Sequence, residues 1–380
     1  MTTAVDPDRT TTAPKRDRDR DRHGRIVGLD VARALAVFGM LGAHVGAVPD
    51  DVQAAPSSWL GVVNGRPSIL FAVLAGISVA LLSGRTVPAT GDDLVRARIR
   101  ILVRAAWVFA IGGALEALGT DVDVILGVYA LLFVLALPFL RWPPRRLLLA
   151  AAVLAVLTPP ATLLLTQYAD AQDAYDTPFV SLAVTGPYPA LIWWTFILVG
   201  LAVGRCDLTT TRVRGALVAA GAGLAVVGYG AGWLTTQWWA GGQPMIWPLK
   251  DTVRPAQSHP ALLTGAFPHS GTTFEVVGSV GVALVVIGMC LVAADRLPRV
   301  LFPLAAVGSM ALTAYGGGIV AVWAIGTLDY DTNRPWLVYV LIITAAATIW
   351  RLFLGRGPLE RLLTWSSTRV AGQAAPSRRL

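Results

Sequence analysis

Apolar runs of about twenty residues recur along the chain, separated by short stretches that collect its charges. As a helix, each run is long enough to cross ~30 Å of hydrocarbon. Ten spans are predicted, at roughly 26–47, 67–84, 99–118, 123–140, 146–166, 188–204, 213–233, 274–294, 299–326 and 336–355. The segment 299–326 is long for one crossing and is expected to be tilted or broken. The pattern predicts an all-α polytopic integral membrane protein with about ten transmembrane helices. Residues 1–25, with KRDRDRDRHGR, read as a disordered basic cytoplasmic tail, 26–355 as the transmembrane domain and 356–380 as a C-terminal tail. The first run follows a polar stretch and lacks a small-residue cleavage site near its end, so it is expected to stay as a span.

Charge placement sets the orientation. With the N-terminus inside, 26 Lys and Arg fall on inner segments and four, Arg66, Lys250, Arg254 and Arg334, on outer ones. Arg33 lies within a span. This asymmetry predicts a multi-pass cell-membrane protein with both termini cytoplasmic. Composition agrees: 55% of residues are hydrophobic and 14% charged, against about 25% charged in soluble domains. The net charge of +8 is spread over loops rather than along one basic stripe, which excludes a nucleic-acid partner. Cys206 and Cys290 both fall near inner helix ends, so no structural disulfide is expected. Four dispersed histidines and the lack of a glycine-rich nucleotide loop predict no metal and no nucleotide cofactor of that kind.

The first span, GLDVARALAVFGMLGAH (28–44), holds Asp30, Arg33 and His44, each costly in hydrocarbon. From Arg33 to His44 the helix turns three times plus about 20° and rises ~16 Å, so the two side chains share a face. Asp30 is one turn from Arg33 and can pair with it. The face reads Asp30, Arg33, Val37, Met40, Leu41, His44. A polar stripe is therefore expected from the inner third of the membrane to its outer edge. Intramembrane ionisable groups usually face a cavity and carry function. The competing reading is a buried Asp–Arg pair that only locks helices together. At the outer surface a neutral His44 can accept a proton or attack an activated acyl group, and the sequence leaves both roles open.

Arg33, ten intervening residues and His44 resemble the first-helix motif of integral-membrane acyltransferases of the acyltransferase 3 family. The same stretch is similar to the opening of bacterial membrane proteins related to heparan-α-glucosaminide N-acetyltransferase. NGRPSILFAVLAGISVALLSGR (64–85) and HSGTTFEVVGSVGVALVVIG (269–288) look like further parts of that group. GRGPLERLLTW (355–365) resembles the end of bacterial proteins carrying a domain of unknown function. The resemblance covers the first ninety residues and much of the last hundred; the middle spans carry no resemblance of this kind. It implies a transmembrane acyltransferase. Acyl-CoA, acetyl-CoA included, would bind from the cytoplasm as co-substrate, and the acyl group would reach a hydroxyl or amine of an extracytoplasmic glycan or small molecule. His44, Arg33 and Asp30 are then the expected catalytic set. In the human-type enzyme the histidine follows the first span, whereas His44 lies within it, which makes His269 a rival. The expected partners are the bilayer, acyl-CoA and the acceptor, with a homodimer left open.

Further residues are candidates for binding. Arg66, in NGRPS at the outer mouth of the second span, suits an anionic acceptor or a developing oxyanion, or a lipid headgroup. Arg96, Arg100 and Arg104, with Arg98 between, suit CoA phosphates, or plain anchoring at the inner surface. In PHSGTTFE (268–275), Thr272 or Thr273 is expected to cap a helix with Glu275 in its first turn. His269 and Glu275 are also candidates for a carboxylate–histidine pair meeting His44, with Glu116 as a second carboxylate. Ser68, Ala72, Gly76 and Ala80 form a small-residue stripe with the first span as expected partner. Gly316, Gly317 and Gly318 are expected to break, kink or closely pack the ninth span. The alternative function is a transporter or exporter, for which the polar stripe is a translocation path; internal repeats, common in transporters, are not evident.

Overall fold

The computed structural model describes residues 25–46, 64–239, 260–325 and 332–373. Among them there are helices and no strands. Every segment expected to span falls on a helix or a bent helix pair. These are α1 (Val27–Val45), α2 (Arg66–Leu82), α3 (Gly91–Glu116), α4 (Leu126–Leu135), α5 (Pro144–Ala171), α6 (Ala190–Gly204), α7 (Thr211–Trp239), α8 (Thr273–Arg296), the pair α9 (Phe302–Gly308) and α10 (Ala311–Ile325), and α11 (Arg334–Phe353). By length and composition five helices can cross a membrane, or seven if each bent pair counts as one span. α2 and α4 are shorter apolar helices. Residues 358–373, expected within a C-terminal tail, form a further helix, α12 (Pro358–Gln373), packed on α3.

α1 is enclosed by α2, α8, α9 and α10, with most of its residues buried. α7 and α11 lie at the periphery. In α11 only Tyr339 and Ala347 are buried, and Leu341, Ile342 and Ile349 face outward. An apolar outer surface on a helical bundle suits lipid. Trp233, Trp238 and Trp239 are exposed at the end of α7, a placement suited to a membrane interface.

Two expectations about packing are corrected. The small-residue stripe of α2 receives α6, not α1: a Cβ on Gly76 would strike the backbone at Ile197 and Gly200, and one on Gly200 would strike Val73. The facing glycines remove the atoms that would hold the helices apart. The ninth span is broken, by 80°, but at Ser309–Met310 rather than at the triple glycine. Gly316 to Gly318 continue α10, and a Cβ at any of them would meet no more than ordinary van der Waals contact. The close approach falls at Gly308, whose missing side chain leaves room for the backbone of Asp30. The bend therefore sits beside the charged pair of α1.

One buried cation ties three helix ends together. Arg205, 4% exposed at the end of α6, donates to the carbonyl oxygens of Arg85 at 2.8 Å and Ser83 at 3.2 Å, to Ser83 Oγ at 2.8 Å, and to the Leu140 carbonyl. These acceptors follow α2 and α4. Burial lowers the Arg205 pKa to about 10, which leaves it charged at neutral pH.

Candidate active site

The two ends of α1 are built differently. Near its start, Asp30 is 2% exposed and accepts from both Arg25 and Arg33, the latter at 2.7 Å. Arg33 also donates to Ser78 Oγ on α2 at 2.9 Å. The expected Asp30–Arg33 pair thus forms, extended by a second arginine. This compensation lets three ionised groups sit inside a bundle.

Toward the other end, the same face of α1 borders a small, largely apolar pocket of about 20 Å³. Val37, Met40, Leu41 and His44 line it, with Val122 before α4, and Tyr315 and Gly318 of α10 opposite. The four α1 residues are those the helical spacing places on one face. His44 is exposed at the pocket edge.

His269 reaches the same end from the turn before α8. Thr272 is the N-cap, its hydroxyl accepting from the Glu275 amide at 3.1 Å. Glu275, buried at 5% exposure, turns back and accepts from the amides of His269 and Gly271, both at 2.6 Å, and from Ser270 Oγ at 3.2 Å. The carboxylate therefore serves the backbone, and its recorded bond to His269 is not to the imidazole. It holds His269 at φ 61°, a left-handed conformation rare for a residue with a side chain. The imidazole packs against Gly65 and lies 5.8 Å, centroid to centroid, from the Tyr188 ring. His269 keeps an exposed edge, and partial desolvation pushes its pKa below the ordinary value; Asp123 opposes that shift and His44 adds to it.

Asp123 is the residue that sequence reasoning missed. Its carboxylate lies within electrostatic range of His44, His269, Tyr188 and Tyr315, which come from four separate segments. Its only sequence signal is an acid at the edge of an apolar run. Tyr229 was also passed over. Arg66 donates to its hydroxyl at 3.0 Å and stacks 5.1 Å from its ring centroid, and that hydroxyl meets Ser279 Oγ at 3.0 Å. Arg66 follows Gly65, so it stands beside the His269 turn. Glu116 is exposed at the end of α3, near Gly127.

Arg96, Arg100 and Arg104 follow one face of α3 but differ in their surroundings. Arg96 pairs with Asp93 at 2.7 Å, and Arg98 is exposed. Arg100 and Arg104 lie close enough to repel, with Arg356 joining them. The Arg100 Nε is buried without a hydrogen-bond partner, and Arg104 Nε reaches Ser367 Oγ at 3.4 Å. Among the described residues no group of three or more His, Cys, Asp or Glu is arranged to hold a metal.

Residues 25–229 match the sequence model of a family described as heparan-alpha-glucosaminide N-acetyltransferase, catalytic. The match is more than half of the chain and includes the middle spans, to which sequence reasoning had given no relative. It holds Asp30, Arg33, His44, Arg66, Arg98, Arg100, Arg104 and Asp123, and stops before His269 and Glu275. No curated protein matches the chain.

Proposed function

The chain belongs to the heparan-alpha-glucosaminide N-acetyltransferase catalytic family, and from that premise we propose a membrane-embedded acyltransferase that takes its acyl group from cytoplasmic acyl-CoA. Acetyl-CoA is the first donor to test. The acceptor is a hydroxyl or amine of an extracytoplasmic glycan or small molecule. About ten crossings with both termini cytoplasmic put the arginine-rich helix ends on the donor side and the histidines on the acceptor side.

One observation carries the reading: a single helix face joins a paired Asp–Arg cluster to a pocket edged by His44, with His269 and Asp123 within electrostatic range. In the proposed reaction the neutral His44 takes the proton of the acceptor hydroxyl or amine as that atom attacks the thioester carbonyl. The carbon–sulfur bond breaks, and the CoA thiolate leaves with the proton returned by the imidazolium. Asp123 stabilises the transient imidazolium electrostatically. Arg66, beside the His269 turn, meets an anionic acceptor. Arg33 with Asp30 holds the charge balance along the donor path, and Arg100 with Arg104 meets the CoA phosphates.

The protein in nanodiscs, with radiolabelled acetyl-CoA and an envelope extract, tests this directly. Label transfer or slow CoA release that disappears in His44→Ala supports the assignment. Intact activity in both His44→Ala and Arg33→Ala removes these residues from the site. The 80° break in the ninth span favours a second reading, a transporter, since discontinuous spans often line solute paths. Failure to bind any acyl-CoA would select it.

A further inference from the structure

α12 packs along α3, and Leu363, Ser366, Ser367 and Ala371 form its buried face. Its start is fixed as well. Glu360 accepts from the α10 amides of Leu312 at 2.8 Å and Thr313 at 3.1 Å, and from the Thr313 hydroxyl at 2.6 Å. A carboxylate at the start of a helix is favoured by the amides and by the helix dipole. The turn before α12 is held too. The Arg356 carbonyl accepts from Trp350 Nε1 at 3.0 Å, and Arg361 donates to the Leu354 carbonyl at 2.7 Å. α12 is therefore a fixed wall beside α3.

Positive charge collects where the two helices meet. Ser367, fully buried, accepts from Arg104 Nε at 3.4 Å. Arg100 lies one turn earlier on α3, ~6 Å along the axis. Arg356 is within electrostatic range of Arg104. Among the described residues neither Arg100 nor Arg104 pairs with a carboxylate, and their terminal Nη nitrogens have no acceptor. Those nitrogens are not sealed inside; the buried orphan is Arg100 Nε. Like charges one turn apart repel, and gathering them in a partly buried seam without a counter-charge is costly. A bound anion removes that cost. Two guanidinium forks at different heights suit a phosphate, which offers oxygens in several directions, better than a flat carboxylate, which one fork satisfies.

We propose that α3 and α12 form a phosphate clamp: Arg100 and Arg104 hold the group through their Nη nitrogens, Ser367 positions Arg104, and Arg356 adds a third positive charge. The family match stops at residue 229, well before α12. The clamp deepens the acyltransferase reading, which gives Arg100 and Arg104 to CoA, and rests on it for that source alone. In the proposed orientation the same level holds phospholipid headgroups, the other source of phosphate.

The full chain in nanodiscs tests the clamp. CoA affinity is measured by calorimetry in phosphatidylcholine discs, and phosphatidylglycerol by its enrichment around the protein on reconstitution from a mixed bilayer. Arg104→Gln is expected to weaken at least one of the two about tenfold, as for lost charge-assisted hydrogen bonds. Ser367→Ala is expected to weaken the same ligand about threefold and to make its binding less salt-dependent, which a merely structural defect would leave alone. A loss for CoA names the CoA phosphates, and a loss for the lipid names the headgroup. Both ligands unchanged in folded Arg104→Gln and Ser367→Ala proteins, checked by thermal midpoint and elution, would overturn the clamp. If the unaltered chain binds no CoA, the acyltransferase reading fails and the lipid arm alone decides the clamp. Should Arg104→Gln not fold, Arg356→Gln takes its place: a loss of about threefold supports the clamp, and no loss overturns it.

Discussion

The two ends of α1 lie on one helix face and are opposite in character. At the start, Asp30 has two arginine partners, and Arg33 is further tied to Ser78. At the far end, His44 borders a pocket, and His269 is held by its backbone while its ring remains available. Paired charges fix geometry, whereas an imidazole at a pocket edge keeps a ring nitrogen free to exchange a proton. The difference gives the proposed site two ends, one of paired charges and one beside a pocket.

The sharpest way to break this comparison is to remove one group from each end. His44→Ala is expected to lower acyl transfer about a thousandfold, within the range for a lost general base, with an unchanged thermal midpoint. A loss below about tenfold would shift the catalytic role to His269. Asp30→Ala is expected to lower stability and, by freeing Arg33, to slow transfer as well. It strands two cations that are partly exposed, at 28% and 20% of their side chains, so solvent offsets part of the loss. A cost of about 2 kcal/mol is expected, read as a lower thermal midpoint in nanodiscs.

A smaller effect separates binding from chemistry. Arg66→Met removes a guanidinium held on Tyr229 and is expected to raise the acceptor KM about tenfold with little change in kcat. An equal fall in kcat at constant KM would instead place Arg66 at the transition state.

The smallest effect is in pH. Partial desolvation lowers the His269 pKa from its ordinary 6.5, so this residue stays neutral into mildly acid solution. If its neutral form is needed, the rate holds to a lower pH than an ordinary histidine would allow. The unfolded chain takes up its proton first, so His269 costs stability as pH falls below 6.5 and contributes none above it. A rate that already falls above pH 7 assigns control to another group.

Much of this was legible in the chain. Hydrophobic run length located the helices, because hydrocarbon thickness and helix rise leave few choices. Spacing alone placed Arg33 and His44 on one face, and proximity paired Asp30 with Arg33. A threonine cap with Glu275 in the first turn followed from local backbone chemistry; that Thr272 is the cap and Glu275 is buried came only with the fold. The legible features all lie within a few turns of one element.

What the sequence could not decide depends on which helices meet. It offered the stripe of α2 but not α6 as its partner, since small residues permit close approach without naming what approaches. It marked the triple glycine, yet the bend came at Ser309–Met310, where Gly308 gives way to the backbone of Asp30. Propensity describes what a segment tolerates; packing decides where strain is released. Asp123 among two histidines and two tyrosines, and Glu360 on the start of α10, unite residues far apart in sequence. Local periodicity carries no signal for such meetings, because only the folded bundle fixes those distances.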